Sequence, residues 1–203
     1  MSEELSQVER GIAAALAAQD ARQAAVLTLR SYGPEILGFL IAQLRSDQHA
    51  EEVFSMFAED LWRAVSADLS LRSSMRAYAY ALARNAKHRF LARDLKKQRA
   101  GVPISDAELM TNLVAEVRSK TATYLATDSK QKLAELRDRL DPDEQALLTL
   151  RVDRGLEWLE IAEVFGDTDE PKKAAARYRK RFQVLKERLT QWVREAGLTD
   201  SDT

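Results

Sequence analysis

Apolar side chains recur at intervals of three and four residues through most of this chain, the spacing that places them on one face of an α-helix. Leu5 to Gln19 is an alanine-rich helical stretch, and Asp20 to Tyr32 continues the same spacing. Gly33-Pro34 is expected to interrupt this segment, with Pro34 in the first turn of a new helix, where no amide donor is needed. The pattern predicts an all-α protein.

Two apolar stripes predict the next two helices. The first should end near Arg45 and comprises Ile36, Leu37, Leu40, Ile41 and Leu44. Asp47 is the expected N-cap of the second helix. Its stripe comprises Val53, Phe54, Phe57, Leu61 and Trp62. A loop from Ala67 to Ser74 should follow, and then one long helix from Met75 to Arg99.

Gly101, Pro103 and the polar residues after them break the helical pattern, so a domain boundary is expected there. Leu109, Leu113, Val114 and Val117 keep helical spacing within this stretch, which allows a docked helix inside the linker. The predicted architecture is two helical domains joined by a linker. Its parts are an extra N-terminal helix (1–21), a first domain (22–99), the linker (100–129), a second domain (130–197) and a tail (198–203).

The second domain carries the signals of a helix-turn-helix arrangement. Asp141-Pro142 is a helix start, with an N-cap followed by proline. That helix should end at Arg154-Gly155, since glycine readily takes the left-handed cap conformation. A short helix from Leu156 to Phe165 should end at Gly166. A polar turn then leads to Pro171 and a basic helix.

Basic residues are concentrated in two of these helices. Arg84 to Arg99 holds seven Lys or Arg and one acidic residue, and Lys172 to Arg188 holds eight and one. The rest of the chain carries a formal charge of minus fourteen, against minus one for the whole. Clustered basic residues displace counterions from phosphates, so this asymmetry favours nucleic-acid contact. A solvated helix face is the alternative that charge alone leaves open.

Composition argues against several other classes of protein. The chain has no cysteine, which removes disulfides and thiolate metal sites. His49 and His88 are its two histidines and lie in no ligand-spaced cluster. Glycine-rich phosphate loops and nucleophile motifs are absent. An acidic start and the lack of an apolar run of about 20 residues predict a cytoplasmic protein without membrane insertion, cofactor or enzymatic activity.

Four segments, in order and spacing, resemble the extracytoplasmic-function group of the sigma-70 family of bacterial RNA polymerase initiation factors. The first two are Tyr32-Gly33-Pro34 with Leu37 and Phe39, similar to YGP(x)LLRF, and Ala50 to Trp62, similar to AEDLVQExFLRLW. The third is Ala77-Tyr78 with Leu82 to Asn85, similar to AWLYRIARN. The fourth runs from Leu140 to Gly166 and resembles LPxxxRxVLxLRxxEGLSxxEIAEVLG.

The resemblance implies a transcription initiation factor that binds core RNA polymerase, reads and melts the minus-ten element and binds the minus-thirty-five element of promoters. The first domain would be of the sigma region 2 type and the second of the region 4 type. Core polymerase and promoter DNA are the implied partners, an anti-sigma protein is a further candidate, and the free protein is expected to be a monomer.

The resemblance also implies three sets of functional residues. The minus-ten set is Leu69, Arg72, Tyr78, Tyr80, Arg84, Asn85, Lys87, Arg89, Arg93, Lys96 and Lys97. The minus-thirty-five set is Lys172, Lys173, Arg177, Arg179, Lys180 and Arg181. The polymerase-binding set is Glu51, Glu52, Ser55, Met56, Glu59 and Trp62. Stacking of melted bases on aromatic rings, an amide at a base edge and cations on phosphates are the chemistry expected.

Departures from the family pattern include three features. Ser55 and Met56 stand where a glutamine and an acidic residue are usual, the acidic turn from Asp167 to Lys172 is about two residues longer, and the N-terminal helix has no assigned counterpart. These departures keep open a sigma-like interaction protein that binds a regulator or polymerase without initiating transcription. An ordinary helix-turn-helix regulator that binds duplex operators unaided is a third alternative.

Overall fold

The computed structural model describes residues 2–67, 69–93, 110–118 and 139–195 of the 203-residue chain. Within these ranges the regular elements are helices and no strand occurs, which confirms the all-α prediction. The chain divides into two compact units. One is Met1–Thr127 with Glu163–Phe165, and the other is Asp128–Ala162 with Gly166–Thr203.

The first unit is built around its second helix. Its helices are α1 (Ser2–Ala17), α2 (Ala21–Leu44), α3 (Asp47–Val65), α4 (Met75–Arg93) and α5 (residues 110–118). α2 packs against α1, α3 and α4, and α3 also packs against α4. The largest fully buried side chains of this core include Tyr32, Phe39, Phe54, Phe57 and Leu61.

α2 runs without a break through Gly33 and Pro34, so the predicted interruption is wrong. Proline removes one backbone donor and disfavours a helix interior, but the residues around it are buried, including Tyr32 and Ile36. Tertiary packing of this kind supplies most of a helix's stability and outweighs local propensity. The predicted end near Arg45 is confirmed, since its left-handed backbone (φ 51°) closes the helix with an N–H bond to the carbonyl of residue 41.

α2 is the one helix of the described ranges that is long and apolar enough, by length and composition, to cross a bilayer. In its most apolar window 61% of the helix is buried within the protein. Contact with α1, α3 and α4 accounts for this composition, because a helix enclosed by other helices is apolar on most of its faces.

α3 begins one residue earlier than predicted. Ser46, not Asp47, is its N-cap: Ser46 has extended backbone and its hydroxyl accepts the N–H of His49 at 3.3 Å. Asp47 instead lies in the first turn, where a carboxylate interacts favourably with the helix dipole. One face of α3 is buried against the core, while its acidic residues lie on the other side.

Residues 139–195 form the predicted succession of short helices and a long basic one. α6 (Pro142–Leu148) starts with a complete capping box between Asp141 and Glu144. It continues as a π-helical turn (Thr149–Asp153), and α7 (Trp158–Val164) and α8 (Pro171–Glu195) follow. Gly155 and Gly166 have φ of +67° and +72°. Both predicted glycine terminators therefore occupy the left-handed region.

Candidate nucleic-acid interface

α8 separates an apolar face from a basic one. Ala174, Tyr178 and Leu185 are buried and recur at helical spacing, which fixes the helix on the rest of its unit. The opposite faces are exposed and rich in cations. The exposed basic residues are Lys172, Lys173, Arg177, Arg179, Lys180, Arg181 and Lys186. All six residues of the predicted minus-thirty-five set are thus accessible in this unit.

Aromatic and charged contacts hold α8 against the two preceding helical segments. The rings of Trp158 in α7 and Phe182 in α8 lie 5.5 Å apart. The guanidinium of Arg151 lies 4.5 Å from the centre of the Trp158 ring and donates a hydrogen bond of 2.7 Å to the carbonyl of Leu156. Arg188 of α8 pairs with Glu144 of α6. These contacts fix α8 on the two helical segments that precede it.

The acidic turn before α8 engages one of the predicted base-reading residues. Arg177 donates a hydrogen bond of 2.6 Å to Asp167 and pairs with Asp169. The hydrogen bond to Asp169 and the charge of Asp167 raise the pKa of Arg177 further above its ordinary value. Lys173 pairs with Glu170 at 3.2 Å. The carboxylates of the turn therefore pair with Arg177 and Lys173, two cations of the basic face that a phosphate would otherwise contact.

Two residues of the predicted minus-ten set, Tyr80 and Lys87, lie in the core of the first unit. Tyr80 is completely buried and its ring meets Phe39 edge to face, with 5.4 Å between ring centres. Lys87 is 3% exposed and donates a hydrogen bond of 2.8 Å to the side chain of Gln43. The second case is a polar contact between α4 and α2 that satisfies a buried ammonium. In this arrangement neither side chain is available to DNA.

The other described members of the minus-ten set lie at or near the surface. Asn85 is exposed, Arg84 is half-buried, and Arg89 is exposed and pairs with Asp60 of α3. Tyr78 is half-buried, and burial raises the pKa of its phenol, with a further increase from the nearby charge of Asp60.

The remaining members of that set are two loop residues and three residues whose side chains the structure does not describe. Leu69 is half-buried and Arg72 exposed in the loop between α3 and α4. Lys96 and Lys97 lie outside the described residues, as does the side chain of Arg93.

The predicted polymerase-binding residues line the outer side of α3 with one exception. Glu52 is exposed, and Glu51, Ser55, Met56 and Glu59 are half-buried. Trp62 is buried with the core face of the helix. Glu59 pairs with Arg63 at 3.2 Å.

Contacts from α5 to this surface were not predicted from sequence. Arg118 donates hydrogen bonds to the hydroxyl of Ser55 at 3.1 Å and to the backbone carbonyl of Glu51 at 3.2 Å. Glu116 pairs with Arg30 of α2 at 3.4 Å. The apolar spacing of Leu113, Val114 and Val117 indicated a helix, but nothing in the sequence indicates which side chains its polar residues meet.

Comparison with protein-family models, with curated proteins and with solved structures finds no match for this chain. Within the described ranges no group of three or more His, Cys, Asp or Glu residues is placed to hold a metal ion. The function is therefore inferred from the residues and geometry of this chain.

Proposed function

We propose that this protein is a sigma-type transcription initiation factor that binds bacterial core RNA polymerase and directs it to promoters. The observation that carries the proposal is the exposed basic face of α8, held by α6 and α7 through Trp158 and Glu144. In this proposal the two compact units act as a region 2-type domain and a region 4-type domain. α8 enters the major groove of the minus-thirty-five element.

The dimensions and charge of α8 suit this role. Its 25 residues span roughly 37 Å at 1.5 Å per residue, more than the width of a major groove. Arg179 and Lys180 lie on the exposed side of its N-terminal half, where side chains of a recognition helix reach base edges. Lys172 and Arg181 are exposed as well and would contact phosphates, which position the helix without reading sequence.

The first unit would act on the minus-ten element with its accessible residues only. Asn85 presents an amide that both donates and accepts hydrogen bonds at a base edge. Tyr78 offers a partly exposed ring, and Arg72 a cation on the preceding loop. A ring and an amide together are suited to holding a base taken out of the duplex. Tyr80 and Lys87 have no direct part in this proposal, because both are buried.

The test compares two double variants of α8 that each remove two positive charges. Arg179→Ala/Lys180→Ala changes the proposed base-reading segment, and Lys186→Ala/Arg194→Ala removes the same charge from the distal part of the helix. Binding of the polymerase holoenzyme to a library of promoter fragments is measured for each. The first variant should lose discrimination at minus-thirty-five positions by about 1–3 kcal/mol per bidentate contact, whereas the second should weaken binding similarly for all sequences. Equal behaviour of the two variants would overturn the assignment of α8.

A second candidate function, the sigma-like interaction protein, is favoured by one observation. Arg118 contacts both Ser55 and Glu51 on the surface of α3 that polymerase would use. A protein whose polymerase surface is permanently occupied would bind a regulator instead. Tight binding to an anti-sigma protein, together with no holoenzyme formed by the wild-type chain or by an Arg118→Ala variant, would favour this candidate.

A further inference from the structure

α5 packs on α2 at Gly33, a residue that has no side chain. Its apolar stripe of Met110, Leu113, Val114 and Val117 is buried. At the centre of the contact, a Cβ atom on Gly33 would lie 2.7 Å from Cγ2 of Val117, closer than such atoms approach. The methyl groups of Val117 therefore occupy space that any residue other than glycine at position 33 would fill. Gly33 permits the close approach of α5.

The polar end of α5 is fixed on α3 by a single arginine. Arg118 donates to the Ser55 hydroxyl at 3.1 Å and to the Glu51 carbonyl at 3.2 Å, and it lies 3.5 Å from the Glu51 carboxylate. The Ser55 hydroxyl itself donates to the Glu51 carbonyl at 3.0 Å. One guanidinium thus binds a hydroxyl, a carbonyl and a carboxylate of one turn of α3, with the planar donor geometry that arginine provides.

Ser55 is also a position at which the chain departs from the pattern it resembles. A serine hydroxyl is short, so Arg118 reaches past it to the backbone of α3. A longer side chain at position 55 would stand where the guanidinium now lies. The contact between Arg118 and Ser55 therefore depends on both residues. It lies on the surface of α3 formed by the proposed polymerase-binding set.

We infer that α5 occupies the polymerase-binding surface of the free protein, and that core polymerase must displace it from Glu51 and Ser55 in order to bind. This inference rests on the proposed function. α5 and the polymerase then compete for one surface of α3. The apparent affinity for polymerase is lower than the intrinsic affinity by the fraction of molecules in which α5 has left.

A disulfide between positions 33 and 117 tests the inference directly, because the chain has no cysteine of its own. The Cγ atoms of Val117 lie 2.7 and 3.1 Å from the position of a Cβ on residue 33, and each is one bond from the Cβ of residue 117. The two Cβ atoms are thus within the about 3.5–4.5 Å that a disulfide requires. In Gly33→Cys/Val117→Cys, oxidation locks α5 in place and reduction releases it.

The measurement is the affinity of core RNA polymerase for the oxidised and reduced forms, with wild type and each single cysteine variant as controls for the reductant. The reduced form should bind at least about tenfold more tightly than the oxidised form, which corresponds to about 1.4 kcal/mol. Arg118→Ala provides a second test without a disulfide and should bind several-fold more tightly than wild type. Its matched control is Arg22→Ala, an exposed arginine on α2 away from α5.

The possible outcomes separate this inference from the proposed function. Equal binding by the oxidised and reduced forms, or unchanged affinity of Arg118→Ala, overturns the displacement of α5 while the proposed function stands. Absence of binding by wild type, the reduced form and Arg118→Ala together overturns the proposed function, and this inference with it.

Discussion

The carboxylate of Glu9 in α1 accepts the backbone N–H of Arg76 in the first turn of α4, at 3.0 Å. Its other oxygen accepts the N–H of Met75 at 2.9 Å. Helix N-termini have backbone donors without partners inside the helix, and a side chain usually satisfies them from the N-cap position. Here Ser74 accepts the N–H of Ala77 in that way, and a distant residue of α1 accepts two more. The N-terminal helix, which has no assigned counterpart in the resemblance, therefore holds the start of the proposed minus-ten helix.

Glu9→Ala should destabilise the first unit by about 2 kcal/mol, because it leaves two backbone donors and the Tyr32 hydroxyl without this acceptor. Glu4→Ala, an exposed residue of the same helix, is the control and should change stability by less than about 0.5 kcal/mol. Denaturant unfolding gives the free energies. Amide hydrogen exchange at Met75 and Arg76 localises the effect, and unchanged protection there in Glu9→Ala would exclude the capping role.

Tyr32 should make stability fall at alkaline pH. Burial, and next the hydrogen bond to Glu9, raise the pKa of its phenol well above its ordinary value. The folded protein therefore retains this proton at pH values where the unfolded chain has lost it, so stability is lost as pH rises above about 10. The check is the free energy of unfolding against pH for wild type and Tyr32→Phe. Their difference should shrink above that pH, and a constant difference would contradict the prediction.

Gly33→Ala tests how closely α2 and α5 approach. The added methyl group would overlap Val117, at a cost of about 1–3 kcal/mol, against a gain of about 1 kcal/mol from replacing glycine in a helix. Weaker docking of α5 is expected, seen as faster hydrogen exchange in residues 110–118. Gly33→Ala/Val117→Ala should restore part of the protection, because the second substitution removes the clashing methyl groups. Unaltered exchange in Gly33→Ala would show that the contact is not tight.

The acidic turn should restrain duplex binding by α8. Asp169→Asn removes a carboxylate paired with Arg177 and lowers negative charge beside the proposed DNA surface, so duplex affinity at low salt should rise several-fold. Glu195→Gln makes the same charge change at a position about 27 Å along α8 from Arg177 by helix rise and should have a smaller effect. Fluorescence anisotropy against salt concentration distinguishes them. Lower affinity in Asp169→Asn would instead indicate that the turn orients Arg177 for binding.

Local signals were sufficient for the helix boundaries of the second half of the chain. The Asp141-Pro142 start and the glycine ends at Gly155 and Gly166 depend on backbone conformations that a few neighbouring residues determine. The predicted interruption at Pro34 is wrong because the position of this residue inside α2 depends on burial among distant helices and not on its neighbours in sequence. Local rules describe a helix end well when solvent surrounds it and poorly when the core encloses it.

The site residues show the same limit. When apolar residues occur on nearly every face of a helix, the sequence does not indicate which face is buried. It then cannot show whether a given basic or aromatic residue is buried or exposed. The sequence therefore does not distinguish Tyr80 and Lys87 from Asn85, although α2 covers the first two and Asn85 is exposed. The contacts of Glu9 with Met75 and Arg76, and of Arg118 with Ser55, were missed because the partners are more than 60 residues apart in the chain.

Comigration of the purified protein with bacterial core RNA polymerase tests the central claim most directly. Size-exclusion chromatography at moderate salt, with the protein in excess at micromolar concentration, should show a complex that survives the column. The reduced Gly33→Cys/Val117→Cys variant should form this complex more completely than its oxidised form. A complex would establish the contact that every promoter-directing factor of this kind requires. Failure of wild type, the reduced variant and Arg118→Ala to comigrate would contradict the assignment as an initiation factor.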